Sequence, residues 1–372
     1  MKKICFICHE YPPLINGGIG TFTKDLAESL THRGFDVSVI GLYDINSYDI
    51  SNINGVEIHR IPNSKGKLAF IMNRIRFKIK LESLIKNKGI NIIEAPDFGG
   101  WLSFINTKEV KKIIRIHGSV KYFANELNVK YLKDEIWGWL EKKAFVTADI
   151  ILSVSSYTGH KTKELFNLSV EPKVLHNSVN FFGKNTKYIV KKDCKRFIFV
   201  GTLVEKKGVI NLLKAWNCFI CESGVNDVKL TLVGKDPLGI VSQLQDKYFN
   251  ENIEYLGAVC KDELINLYMQ HDCAVFPSFS EAFALAPMEA MSIGIPVIYS
   301  SLSSGPELIE SDVDGYLINP KNIEDLKNGL LKLYNSDVND RENISINALS
   351  TIKNKFSYDD FIEKNINEYL NV

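Results

Sequence analysis

The sequence predicts an α/β protein made of two doubly wound, parallel-sheet domains. Three observations predict it. Short β-branched runs alternate with helical patterns along all 372 residues, as βαβ units on parallel sheets require. The alternation pauses once, at residues 182–193, a polar, lysine-bearing stretch that reads as a linker. A chain of 372 residues is also too long for one ordinary domain and suits two. The expected division is 1–181 for the first domain and 182–356 for the second.

Composition narrows the class. A chain 45% hydrophobic and 24% charged is a soluble globular type, and no apolar run approaches the ~20 residues that span a bilayer. The opening MKKICFICHEYPP has a short apolar run that His9 and Glu10 interrupt, so it reads as a first strand and the protein as cytoplasmic. CFIC occurs at 5–8 and 218–221, once in a predicted strand and once in a predicted helix of different domains. A zinc site would need both pairs together; small core residues in a reducing compartment are expected, and no metal. The net charge of +1 hides an imbalance, because residues up to Asn180 hold 25 basic and 18 acidic side chains. That half is expected to meet something anionic. No nucleic-acid-binding motif accompanies the charge, so nucleic acid is not expected.

In chain order, strands are expected at 3–8, 36–42, 56–61, 91–95, 112–116 and 150–154, with helices at 20–33, 68–88, 131–147 and 156–166. The first loop reads H-E-Y-P-P-L-I-N-G-G-I-G. Its glycines permit positive φ and close backbone approach, and the helix after them offers N–H groups to an anion. It fails as a dinucleotide fingerprint, since Thr23 stands where a third glycine is needed. Residues 65–88 carry eight basic side chains, one acid and an apolar stripe at helical spacing. The stripe is expected on the first sheet, with the basic face either solvated or resting on an anionic membrane. In I-E-A-P-D-F-G-G-W, Glu94 and Asp97 flank a strand end and Trp101 offers a flat ring, suited to an acceptor pocket or, for Trp101, equally to the core. His117 closes another strand, in I-H-G-S, and Ser155 reads as a helix N-cap.

The second half restarts with strands at 196–200, 228–233, 253–256, 273–276, 295–299 and 315–318. Thr202, Lys206 and Lys207 follow the first of these in F-V-G-T-L-V-E-K-K-G, and Ala258 and Val259 follow the third. Residues 276–300 carry Glu281 in a loop beyond a strand's carboxyl end and Glu289 in the next helix, which Gly294 stops. In an open parallel sheet ligands bind at that end. Asp312-x-Asp314 precedes a glycine and reads as a turn.

The run S-E-A-F-A-L-A-P-M-E-A-M-S-I-G-I-P-V-I resembles the Glu-x7-Glu signature of the retaining glycosyltransferases of family 4, with Ala284 where that family usually has glycine. The resemblance implies the GT-B fold, two Rossmann-like domains facing across a cleft, with the last helix, 357–372, crossing back onto the first domain. It also implies transfer of a sugar from a nucleotide diphosphate donor, UDP- or GDP-linked, to a glycan or lipid-linked acceptor, as in bacterial surface-polysaccharide assembly. By the same resemblance Gly17, Gly18, Lys206 and Lys207 meet the diphosphate, and Ala258 and Val259 lie by the base. Glu289 takes the ribose, while Glu281 and the backbone of Ala282, Phe283, Ala284 and Leu285 take the sugar. His117 stands near the reacting carbon, and no cofactor is implied. Thr202 departs from the family's arginine, a bidentate phosphate ligand that a hydroxyl cannot replace. In L-H-N-S-V-N, Ser178 and Asn180 likewise replace the Gly and Asp of a hinge segment. A nucleotide-sugar epimerase of the same fold and a catalytically silent binder remain alternatives.

Overall fold

A computed structural model describes residues 2–13, 17–107, 109–129, 134–180 and 188–371. The expected linker and the start of the helix at 131–147 lie partly outside these residues. The chain forms two compact units, one of residues up to Asn177 together with those from Asp359 onward, the other of Ser178–Tyr358.

The first unit is one eight-stranded sheet. Its strands are β1 (Lys3–Ile7), β2 (Asp36–Tyr43), β3 (Asp49–Ile53), β4 (Val56–Pro62), β5 (Ile92–Pro96), β6 (Lys111–Ile116), β7 (Ile150–Ser153) and β8 (Lys173–Val174). They lie in the order β3-β4-β2-β1-β5-β6-β7-β8. Every pairing is parallel except β3 with β4. Its helices are α1 (Gly18–His32), α2 (Ala69–Lys88), α3 (Val120–Glu126), α4 (Asp134–Thr147) and α5 (Ser156–Phe166). Ser155 caps α5 by accepting the Thr158 N–H. Strand β3 was not expected. It is an edge strand with mostly exposed side chains, joined to β4 by Asn54 and Gly55, both at positive φ. An Asn-Gly pair between strands is the hairpin signal that would have found it.

The second unit is a six-stranded parallel sheet of β9 (Arg196–Val200), β10 (Lys229–Val233), β11 (Ile253–Gly257), β12 (Cys273–Phe276), β13 (Val297–Ser300) and β14 (Tyr316–Ile318). The order is β11-β10-β9-β12-β13-β14. Helices α6 (Val209–Ser223), α7 (Ile240–Tyr248), α8 (Lys261–Gln270), α9 (Leu285–Ile293), α10 (Gly305–Leu308), α11 (Ile323–Asn335) and α12 (Val338–Lys355) flank it. Its core gathers around the buried Trp216, which meets Phe197 and Phe219 at ring centroid distances of 5.4 and 5.3 Å. Each such fully buried ring stabilises the fold by about 1.5–3 kcal/mol.

The last helix, α13 (Tyr358–Leu370), returns to the first sheet. Its anchor is a buried network. The Arg115 Nε donates to Glu94 Oε1 at 2.6 Å, its Nη2 donates to Asn365 Oδ1 at 2.5 Å, and the Tyr369 hydroxyl donates to Glu94 Oε2 at 2.6 Å. Ion pairs Arg33–Glu363 and Lys173–Glu368 hold its rim. Among the described residues no helix is long and apolar enough to cross a membrane.

Candidate active site

The parallel strand order reverses between β1 and β5 in the first unit and between β9 and β12 in the second. Loops leaving the carboxyl ends of the two strands diverge there, which opens a crevice where ligands bind. Most of the expected site residues follow strands at these two points, while Ala258 and Val259 follow the edge strand β11.

In the first unit a small cavity at the reversal is lined by Ile19, Phe22 and Thr23 of α1, the ends of β1 and β5, Arg115 and His117. The His117 N–H donates to Asp97 Oδ1 at 2.9 Å, and its ring meets Phe22 edge-on at 4.7 Å. Burial, then the neighbouring Arg115, lower its pKa to about 3, so the ring is a neutral imidazole. Asp97 is 1% exposed. Burial, with the Glu141 carboxylate adding to it, raises its pKa to about 8 against the hydrogen bonds it accepts. Glu141 itself takes the N–H groups of Gly99 at 3.0 Å and Val120 at 2.9 Å, fastening the loop after β5 to the start of α3.

Two expected acceptor residues have partners within the first unit. Glu94 accepts Arg115 of β6 on Oε1 and the Tyr369 hydroxyl of α13 on Oε2, so its carboxylate ties β5 to β6 and to the last helix. Trp101 is packed among His9, Phe77 and Arg74, at 4.3, 5.0 and 4.8 Å, and belongs to the core side of the loop.

The glycine loop differs in its reason. None of Gly17, Gly18 and Gly20 is at positive φ. The glycines instead admit Glu10, whose Oε1 accepts the Gly20 N–H at 2.8 Å. A Cβ on Gly17 would stand 2.3 Å from that carboxylate, and one on Gly20 2.0 Å from the Glu10 carbonyl oxygen, while Gly18 has open space. Sequence reasoning missed Glu10. The signal was an acid ahead of a glycine-led helix, whose N-terminus attracts carboxylates.

In the second unit the loops after β9 and β12 meet. Gly208, at φ +72°, lies against Pro277, where a Cβ would be 1.8 Å from the carbonyl oxygen. The Phe279 N–H donates to the Lys206 carbonyl at 2.7 Å. This contact sets Lys207 Nζ 2.5 Å from Glu281 Oε1. Glu281 is 8% exposed. Burial raises its pKa, but Lys207 and then Lys206 outweigh that and hold it below the usual range. For Lys206 burial lowers the pKa, with Glu281 opposing. The Glu281 N–H donates to Ser303 Oγ at 3.1 Å, which fixes the loop.

Helix α9 starts beyond Glu281 with Ala284 as N-cap, at φ −72°, where alanine fits as well as glycine. Ala284 itself offers no side-chain cap to that N-terminus. Leu285 opens the helix, Phe283 is buried with its ring 5.5 Å from Phe356, and Ala282 is buried beside it. Glu289 is half-buried on α9 and raises the pKa of the Tyr268 hydroxyl, already raised by burial.

Along the same edge glycines follow β9 and β10, and β11 ends in one. Gly201 N–H donates to Val233 O at 2.9 Å and Gly234 N–H to Gly257 O at 2.8 Å. Thr202 and Ala258 are exposed there and Val259 is half-buried. Lys235, exposed just beyond β10, accepts the Leu203 N–H on its carbonyl at 2.8 Å, next to Thr202 in the chain. Asp314 is buried and accepts from Glu310 N–H and Thr351 Oγ, and Asp312 pairs with Lys332, so both act in the fold. Among the described residues no group of three His, Cys, Asp or Glu side chains is placed to hold a metal.

Comparison with known proteins agrees with this architecture. Residues 16–181 match Glycosyltransferase Family 4, and residues 184–351 match the Glycosyl transferases group 1. Anabaena HepE, solved in complex with UDP and glucose, superposes with a TM-score of 0.75 over 100% of both chains at 16% identity. The fold is therefore that of the GT-B glycosyltransferases. An uncharacterized glycosyltransferase of Methanocaldococcus jannaschii is 27% identical over 99% of this chain and 97% of its own. A GDP-mannose-dependent alpha-mannosyltransferase of Corynebacterium glutamicum is 24% identical over 85% of this chain and 76% of its own. The chain belongs to glycosyltransferase family 4, the group 1 glycosyl transferases.

Proposed function

We propose that the protein moves a sugar from a UDP- or GDP-linked donor to a glycan or lipid-linked glycan with retention at the anomeric carbon. It would work on the cytoplasmic side of the membrane in surface-polysaccharide assembly. The observation that carries this reading is the Lys207–Glu281 pair at the strand reversal of the second sheet, beside the start of α9. Glu281 and the backbone of residues 282–285 take the sugar hydroxyls, and Glu289 the ribose. Lys207, Lys206 and the α9 N-terminus meet the charge that grows on the departing diphosphate, the largest catalytic contribution to be expected. His117, neutral at working pH, hydrogen-bonds the donor sugar rather than acting as an acid, and Asp97 shapes the acceptor side. Ala258 and Val259 flank the base. The domain division follows the same reading, with 1–181 serving the acceptor and 182–356 the donor.

Charge bears on the missing arginine. Glu281 cancels one of the two lysines, and a helix N-terminus adds only about half a charge. A doubly charged diphosphate needs more, and Lys235, beside Thr202, supplies it. No metal or other cofactor enters this scheme.

Calorimetry with UDP and GDP tests the donor site. Glu289→Ala removes hydrogen bonds to a charged acceptor, worth about 1.5–3 kcal/mol, so affinity should fall roughly tenfold to over a hundredfold. Unchanged affinity removes Glu289 from the site. NMR of the product's anomeric carbon tests stereochemistry, and an inverted product ends the retaining reading.

A further inference from the structure

Helix α2 carries two apolar rows. Phe77, Leu81 and Leu84 are buried against the first sheet. Leu68 at its N-cap, Ile71, Met72, Ile75 and Ile79 form the other, and are 64, 55, 46, 54 and 60% exposed. Spacing by three and four residues places these five on one side of the helix. Isolated exposed apolar residues are ordinary, but a contiguous row marks an interaction surface.

The cations of this helix are largely committed within the unit. Arg74 sits between the rings of Phe70, Trp101 and Trp137 at 5.0, 4.8 and 5.6 Å and donates to the Gly99 and Gly100 carbonyls. Arg76 donates to Pro62 O at 2.9 Å, Lys88 pairs with Glu57 at 2.7 Å, and Lys80 lies over the Tyr48 ring at 4.1 Å. The expectation of a basic face resting on a membrane with the apolar stripe turned inward is thus reversed, because the stripe itself faces out.

We propose that this row is the membrane-docking face of the protein, seated at the headgroup–acyl boundary of an anionic bilayer. An amphipathic helix lying in that plane holds by buried apolar area, with charge as a supplement. Lys67 and Lys86 are exposed at the two ends of the row and Lys78 flanks it, while Glu82, the one acid of residues 65–88, pairs with Lys78 at 3.7 Å. That charge selects the occupant. A second copy docking by the same face would set these lysines against each other, whereas anionic lipid complements them. The proposal gives the lipid-linked acceptor reading a surface, and its test uses no sugar transfer.

The test is flotation of the full chain with vesicles of phosphatidylcholine and phosphatidylglycerol. Wild type should float, and most of it should stay bound in high salt, because screening acts on the lysines alone. Ile71→Ser with Ile75→Ser should weaken partition by on the order of a hundredfold or more, while Lys67→Gln with Lys86→Gln should weaken it by at most about thirtyfold at low salt and less in high salt. UDP and GDP affinity, measured on the same variants, should stay at the wild-type value, which separates this proposal from the donor site. Wild type left in the aqueous layer overturns it, as does a serine pair that floats like wild type. Sedimentation showing a dimer that the serine pair dissolves would also overturn it, in favour of a second copy as the occupant.

Discussion

Asp97→Asn should stabilise the first unit, and the gain should grow with pH. The asparagine Oδ1 can keep the 2.9 Å bond from the His117 N–H, and Asp97 Oδ2, whose place the amide nitrogen would take, has no hydrogen-bond partner in normal geometry. Burial raises the carboxyl from 3.8 to about 8. Because the folded value lies above the unfolded one, the stability tied to this group is complete below about pH 4 and is lost as pH rises through about 8. The asparagine side chain does not titrate. Between about pH 5 and pH 7.5 the wild type therefore loses about 3 kcal/mol relative to the variant, at about 1.4 kcal/mol per pH unit. Trp101, Trp137 and Trp139 lie in the first unit and only Trp216 in the second, so fluorescence in urea follows mainly the relevant transition. A gap between variant and wild type that stays flat over this range, or shrinks with rising pH, refutes the claim that the carboxyl is held neutral. A group that weakens the fold by this much is retained for use rather than for packing.

Tyr369→Phe removes a 2.6 Å bond to the buried Glu94 carboxylate, so the first unit's urea midpoint should fall by the equivalent of about 1.5–3 kcal/mol, with UDP and GDP affinity unchanged. Thr202→Arg should tighten nucleotide diphosphate binding by roughly tenfold or more, and calorimetry finding no gain would show that the end of β9 does not face phosphate. Transfer should survive EDTA; activity lost to chelation and restored by a divalent ion would overturn the metal-free scheme.

The second unit was legible because its signals are local. The Glu-x7-Glu spacing, the Gly294 stop at φ +94° and the apolar strand runs each fall within one strand–loop–helix segment. The Ala284 departure has no backbone consequence, since its φ of −72° suits any residue. What stayed hidden depends on partners distant in sequence. Glu94 looks like a ligand at a strand end until Asn365 and Tyr369, 250 and 275 positions from their partners, close over it. Trp101 has the same ring whether or not its faces are covered. In α2 helical spacing fits both apolar rows, and periodicity alone does not say which row meets the sheet. The glycines of the first loop show close approach without showing that Glu10 is what approaches.

The return of α13 to the first sheet sets a schedule on the ribosome. Arg115 is made 250 residues before the Asn365 that it bonds. At about 5–20 residues per second, the first unit waits on the order of tens of seconds for its last helix. During that time one wall of its core is open and the Glu94–Arg115 pair lacks its cover. A nascent chain stalled before residue 358 should be cut readily by protease in its first unit, and one extended past Tyr369 should resist. The second unit, contiguous in sequence, has no such wait, so the half made first is the half finished last.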